Sequence, residues 1–352
     1  MENKFYLGID VSKKKLDCSI FVDNININQF PHFTVTNDKE GYKNMLDTLK
    51  AMGYNPKETL FGLEFCGCYS DDLEQFFTKK KLSYTMLPTN VLKNYPRGTR
   101  DKNDKLDSAK LADYICRYDG TEAYKLRKLP PENLQKLKKL KSWRKYLVLQ
   151  RTDWLNRLQE CNSKEEEHIC ERYIKSLTKD IEKVEQEQLD IISEDEAIYT
   201  TYCHLRTIPG IGHVNAVNVI VITQNFIAFG TARQLARYIG VAPSSHTSGT
   251  SVHWRSRPSW HCDLQAKADL TRAARNAVVN DPEMRIFYER KMGGKVNKQN
   301  KDRDKERKAL NAVMFKQVQR MFAIGKQARD WKPLNTLAPA MPVQLSDRKS
   351  VV

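Results

Sequence analysis

Apolar and polar positions change rhythm three times along the chain. From residue 5 to about 115, short apolar runs alternate with amphipathic stretches. FYLGID, LDCSIFV and NQFPHFTVT read as β-type runs, and LFGLEF and LSYTML as two further strands. Between them, GYKNMLDTLKAM and DDLEQFFTKKK repeat their apolar positions at helical spacing. Hairpin-like strands followed by strand–helix alternation predict a mixed sheet with helices packed on it.

From 131 to about 199, Leu134, Leu137, Leu140, Leu147, Leu155 and Leu158 recur at helical spacing. Ile174, Leu177, Ile181, Val184, Leu189 and Ile192 do so further on. The pattern predicts two long amphipathic helices in an antiparallel hairpin, breaking near residues 162 and 163. Such a pair is either a solvated spacer or, through its narrow apolar seam, a surface for self-association. From Leu205 the chain becomes globular again, and LRTIPGIGHVNAVNVIV sets a tight Pro209-Gly210-Ile211-Gly212 turn before an apolar helix. This turn is an ordinary helix start or a helix–hairpin–helix element, whose backbone N–H groups at Gly210 and Gly212 would hold a phosphate. After Trp331, Pro and small residues predict a disordered tail. The expected divisions are 1–125, 126–200, 201–330 and 331–352.

Composition narrows the partner. Among 352 residues, 59 Lys and Arg outweigh 43 Asp and Glu, for a net charge of +16. That excess points to a polyanion, of which nucleic acid is the commonest. No apolar run approaches the ~18 residues of a membrane-spanning helix. MENKFYLGID reads as a strand rather than a signal peptide. The eight cysteines form no Cys-x-x-Cys pair, and Cys66 and Cys68 lack a second pair to complete a zinc site. Reduced thiols in a cytoplasmic protein are expected.

Against this basic background the acids stand out. Asp10 ends the first strand and Glu64 a later one, where sheets present chemistry. In RDKNDKLDSAKLADYI, Asp104 and Asp107 share one face of a helix. Helix capping is the plain explanation for that pair. The other is a four-carboxylate cluster, which repels itself unless a cation sits within it. Oxygen donors without histidine suit Mg²⁺ or Mn²⁺. Two such ions about 4 Å apart activate the attacking oxygen of a phosphodiester reaction and stabilise the leaving one. Arg97, Arg100, Lys102 and Lys105 would then hold the nucleic-acid backbone.

The order Asp10, Glu64, Asp104, Asp107, with LGIDVSKKKLD and the D-x-x-D-A-x-x-L-A-like helix, resembles the DEDD transposases of insertion sequences. So do LRTIPGIG and FGTARQLARYIGVAPSSHTSGTSVHWRSR. The resemblance implies an α/β ribonuclease H-like (RuvC-like) N-terminal domain, a helical hairpin or coiled coil, and a mostly α C-terminal domain. It further implies a bacterial, cytoplasmic and nucleoid-associated recombinase acting on donor and target DNA. The acids would bind metal, and a serine after Gly240-Val241-Ala242-Pro243 would attack the phosphodiester. That serine is Ser248, with Ser251 the runner-up and Arg255 and Arg257 beside the phosphate. A structured non-coding bridge RNA and a dimer or tetramer with active sites shared between protomers are implied in the same way. The alternatives are a metal-dependent Holliday-junction or structure-specific nuclease, which would not need Ser248, and a non-catalytic architectural protein.

Overall fold

The computed structural model describes residues 4–87, 103–121, 126–242, 247–248, 252–253, 262–294, 302–327 and 329–331. The chain divides into two compact units, Met1–Leu129 and Pro130–Val352.

The first unit is built on five strands: β1 (Phe5–Val11), β2 (Lys15–Ile20), β3 (His32–Thr36), β4 (Thr59–Glu64) and β5 (Ser83–Leu87). Their order is β3-β2-β1-β4-β5. The first three form an antiparallel meander, while β4 runs parallel to both β1 and β5. Parallel neighbours need crossovers, and helices α1 (Lys39–Ala51) and α2 (Asp71–Lys80) lie in those connections. Asp38 starts α1 by accepting bonds from the Glu40 and Gly41 N–H groups.

Alternation along the strands sorts residues onto two faces. Leu7, Ile9, Leu16, Cys18, Phe61 and Leu63 pack with Tyr42, Met45 and Leu49 of α1 and with Leu73 and Phe77 of α2. Each fully buried large side chain there contributes roughly 1.5–3 kcal/mol. The intervening residues face helix α3 (Asp104–Arg117). Two glycines let α3 settle on the sheet: a Cβ on Gly62 would meet Ile115 Cγ2 at 2.8 Å, and Gly8 is tighter still. Ser19 and Ser108 hydroxyls meet at 2.7 Å beneath the helix. The mixed sheet with a mostly helical remainder is consistent with the expected ribonuclease H-like domain.

The second unit is mainly helical. Helices α4 (Glu132–Leu158) and α5 (Lys164–Glu194) form the expected hairpin. Ser163 caps α5, and Glu166 reaches back to the Asn162 N–H. The second helix stops before residue 199. Asp195 leaves helical geometry and caps α6 (Glu196–Arg206) through the Ile198 N–H, so one polar residue ends one helix and starts the next. Within the seam Leu134, Leu137, Ile181 and Ile192 are buried, whereas Leu155 is exposed. Further helices are α7 (His213–Thr223), α8 (Ala232–Ile239), α9 (Leu264–Asn280), α10 (Pro282–Met292) and α11 (Arg303–Gln327). Their core joins Leu205, Ile220, Leu235, Leu270, Val313 and Met321. A short hairpin pairs β6 (Thr247–Ser248) with β7 (Val252–His253). Among the described residues no helix is long and apolar enough to cross a membrane. The tail predicted to be disordered, 331–352, lies outside the described residues except for Trp331.

Candidate active site

Strand register brings the first two acids together. Ile9 pairs with Leu63 across the parallel strands β1 and β4, so the next step places Asp10 beside Glu64. Across the antiparallel pair, Asp10 stands directly opposite Asp17. All three carboxylates belong to the face covered by α3.

Asn103, not an aspartate, caps α3: its side chain accepts from the Lys105 N–H. Asp104 and Asp107 occupy the first turn beyond the cap, where acids also favour the helix dipole. Asp104 is exposed and Asp107 half-buried. The Lys15 ammonium lies 2.8 Å from Asp104 Oδ2 and 3.0 Å from Asp17 Oδ2. Lys110 Nζ lies 2.9 Å from Asp107 Oδ1. Asp17 is buried and accepts a 3.0 Å bond from the Thr34 hydroxyl.

The electrostatics centre on Asp10. Burial, then the charges of Asp104, Asp107, Glu64 and Asp17, push its carboxyl up to about 6. Glu64, Asp104 and Asp107 are thus all within electrostatic reach of Asp10, as is Asp17. Burial and the charges of Asp10 and Glu64 also push the neighbouring Cys66 thiol up to about 12, which keeps it protonated. An all-carboxylate set of oxygen donors is of the kind that hard divalent cations take. Among the described residues, no three His, Cys, Asp or Glu side chains converge as a ready-made cage. Lysine ammonium groups stand against Asp104 and Asp107 instead.

The other predicted residues fall as follows. Lys105 is exposed on α3, one position from Asp104, whereas Arg97, Arg100 and Lys102 lie outside the described residues. Ser248 sits on β6 opposite Val252. Ser251, Arg255 and Arg257 lie outside the described residues.

Gly210 and Gly212 line one side of a cavity of about 550 Å³ in the second unit. Gly210 has φ +88°, and a Cβ there would meet the Ala273 carbonyl oxygen at 2.5 Å, so the turn requires glycine. Gly212 immediately precedes α7, and no side chain caps that helix. Arg144 of α4, Arg206 of α6 and Arg272 of α9 line the same cavity. His213 braces the turn: its Nδ1 meets the Tyr202 hydroxyl at 3.1 Å and its Nε2 meets Gln188 Oε1 at 3.0 Å. Reading the sequence missed these three arginines, and also Lys15 and Asp17. Only Asp17 left a signal, as the second acid of LGIDVSKKKLD across a tight turn.

Two family models match the chain. Residues 203–289 match the "Transposase IS116/IS110/IS902 family", and residues 7–161 match the DEDD transposase domain of IS110-type elements. The chain belongs to this transposase family. The second match spans Asp10, Glu64, Asp104 and Asp107, and the first spans the cavity turn and Ser248. Family membership implies a DNA-cleaving enzyme with DNA substrates, and DEDD transposases typically depend on a divalent metal.

Among curated proteins, the chain is similar to the pilin gene-inverting protein of Moraxella lacunata. The two are 26% identical over 264 residues, covering 72% of this chain and 77% of the relative. The protein of that name from Moraxella bovis is 25% identical over the same length. An uncharacterised 43.6 kDa protein of insertion element IS110 from Streptomyces coelicolor is 34% identical over 86 residues, 24% of this transposase and 21% of the relative.

Proposed function

We propose that this transposase cuts and rejoins DNA strands through two cooperating centres, the acid cluster of the first unit and the serine hairpin of the second. The observation that carries the reading is the placement of Glu64, Asp104 and Asp107 within electrostatic reach of Asp10, whose pKa is raised first by burial and then by their charges. Two relatives are named for inverting a pilin gene, which fits a reaction that both breaks and restores strands.

Asp10, Glu64, Asp104 and Asp107 would hold Mg²⁺ or Mn²⁺. When bound, the cation supplies Lewis-acid stabilisation of charge developing on the scissile phosphate. The Ser248 oxygen forms a phosphoester with the DNA, and the displaced DNA oxygen leaves with a proton. Rejoining reverses these bonds and restores the serine. Lys105, with Arg97, Arg100 and Lys102 before it in sequence, neutralises backbone phosphates near the acids. Gly210 and Gly212 present backbone N–H groups to a further phosphate in the arginine-lined cavity, and Arg255 and Arg257 serve the serine centre.

Functionally, residues 1–125 are the acid domain, 126–200 the coiled-coil spacer and assembly region, and 201–330 the serine domain. A bridge RNA that pairs donor with target, and a dimer or tetramer with trans sites, complete the proposal through the family resemblance. The outward Trp143, Tyr146 and Leu149 of α4 support assembly, since such side chains favour cover.

The test is strand cleavage of element-end DNA in Mg²⁺ by Asp10→Asn, Glu64→Gln, Asp104→Asn and Asp107→Asn. Each change removes charge with little loss of volume. Cleavage should be lost in all four while the proteins remain folded. Near-normal cleavage in three of them would leave the cluster without a catalytic role.

A further inference from the structure

Lys15 bridges two carboxylates with contrasting surroundings. Asp17 is buried in the sheet, bonded to the Thr34 hydroxyl at 3.0 Å, with His32 Nε2 at 3.4 Å. Asp104 stands at the first position of α3, its side chain 57% exposed. One end of the bridge is anchored by strand register, and the other reaches a helix terminus far away in sequence.

We propose that Lys15 is the resident counter-ion of the acid cluster, anchored by Asp17, and that a divalent cation binds by competing with it for Asp104. The inference rests on the metal-binding reading above. Four acids lie near Asp10, and like charges at close quarters repel one another. Lys15 compensates two of those four at once.

Lys110 compensates Asp107 from within α3, three residues further on, and so moves with that helix. Lys15 comes from β2, so its bridge also ties the helix terminus to the sheet. The arrangement keeps the acids assembled before metal arrives. Its cost is affinity: an ammonium and a dication repel each other, and they cannot share one carboxylate oxygen. Lys15 is therefore a positioning residue whose removal tightens metal binding rather than weakening it.

Full-length, metal-stripped protein without DNA is titrated with Mn²⁺, and free Mn²⁺ is followed by its paramagnetic resonance signal. Lys15→Met should bind Mn²⁺ about three- to tenfold more tightly than wild type, the range expected for one screened positive charge at close quarters. Lys15→Gln serves the same purpose if the methionine variant does not fold. Lys15→Arg, which keeps the charge, should return the affinity to the wild-type value. Lys14→Met, at the neighbouring exposed position, should leave it unchanged.

Asp10→Asn is the reference for the site itself. If wild type shows no Mn²⁺ binding that Asp10→Asn removes, the metal reading fails and the Lys15 inference falls with it. If that binding is present but the Lys15 variants bind equally or more weakly, the metal reading stands and Lys15 is not a competing counter-ion.

Discussion

A methyl group on Gly8 would stand 2.0 Å from the carbonyl oxygen of Ser108 and 2.4 Å from the Ala112 nitrogen. The helix carrying Asp104 and Asp107 therefore rests directly on the backbone of the strand carrying Asp10. Both obstacles are backbone atoms, which cannot rotate aside. Gly8→Ala should lift α3 and lower stability by about 1–3 kcal/mol, the usual cost of overpacking. Strand cleavage should fall further than the stability loss explains. Gly62→Ala meets only the Ile115 side chain and should cost less. Denaturant unfolding of the two variants compares them, and equal stabilities would show that α3 does not depend on contact at Gly8.

Asp10 gives the metal-free protein a pH dependence of definite sign. Its folded-state pKa is about 6, above the ordinary 3.8, so folding favours the protonated form. The stability this provides is complete below about 3.8 and is lost as pH rises through about 6. Asp10→Asn lacks that loss. Its melting temperature should rise relative to wild type between pH 4.5 and 7.5, and Mg²⁺ at pH 7.5 should raise wild type but not the variant. A difference that is flat with pH would remove the electrostatic account of Asp10.

The serine role makes a covalent prediction. Wild-type protein with labelled DNA should give a slowly migrating adduct on a denaturing gel, and Ser248→Ala should give none while still binding nucleic acid. An adduct that persists in Ser248→Ala and disappears in Ser251→Ala moves the nucleophile to Ser251.

Arg206 and Arg272 share the cavity of the Gly210 turn. If that cavity takes a backbone phosphate, replacing both with Gln should weaken binding about equally across DNA sequences. The dependence of log affinity on log salt should become shallower by roughly one for each phosphate no longer neutralised. An unchanged slope would place phosphate binding elsewhere on the protein.

Trans assembly is tested by mixing two inactive proteins. Asp10→Asn and Ser248→Ala, allowed to exchange subunits, should recover single-strand cleavage at a fraction of wild type. In a mixed dimer with trans sites, one site pairs intact acids with an intact serine. No recovery, with exchange verified by a labelled chain, would mean that each site is assembled within one chain.

Much of this protein is readable in its sequence because the deciding physics is local. Short apolar runs mark β1, β2 and β4, helical spacing marks the hairpin, and Asp10 and Glu64 fall within the last two positions of their strands wherever those strands pack. Asp104 and Asp107 share a face through helical geometry alone. What the acids do to one another was decided only by tertiary contact. Asp17 faces Asp10 because the turn between β1 and β2 sets that register, and a one-residue slip would send it to the opposite face. Lys15 reaches Asp104 across 89 positions only because Gly8 and Gly62 let α3 sit close to the sheet. Arg144, Arg206 and Arg272 come from three helices, and no spacing along the chain announces their shared cavity. Periodicity records which side of an element is buried, whereas a site depends on which elements meet, and that is settled by packing.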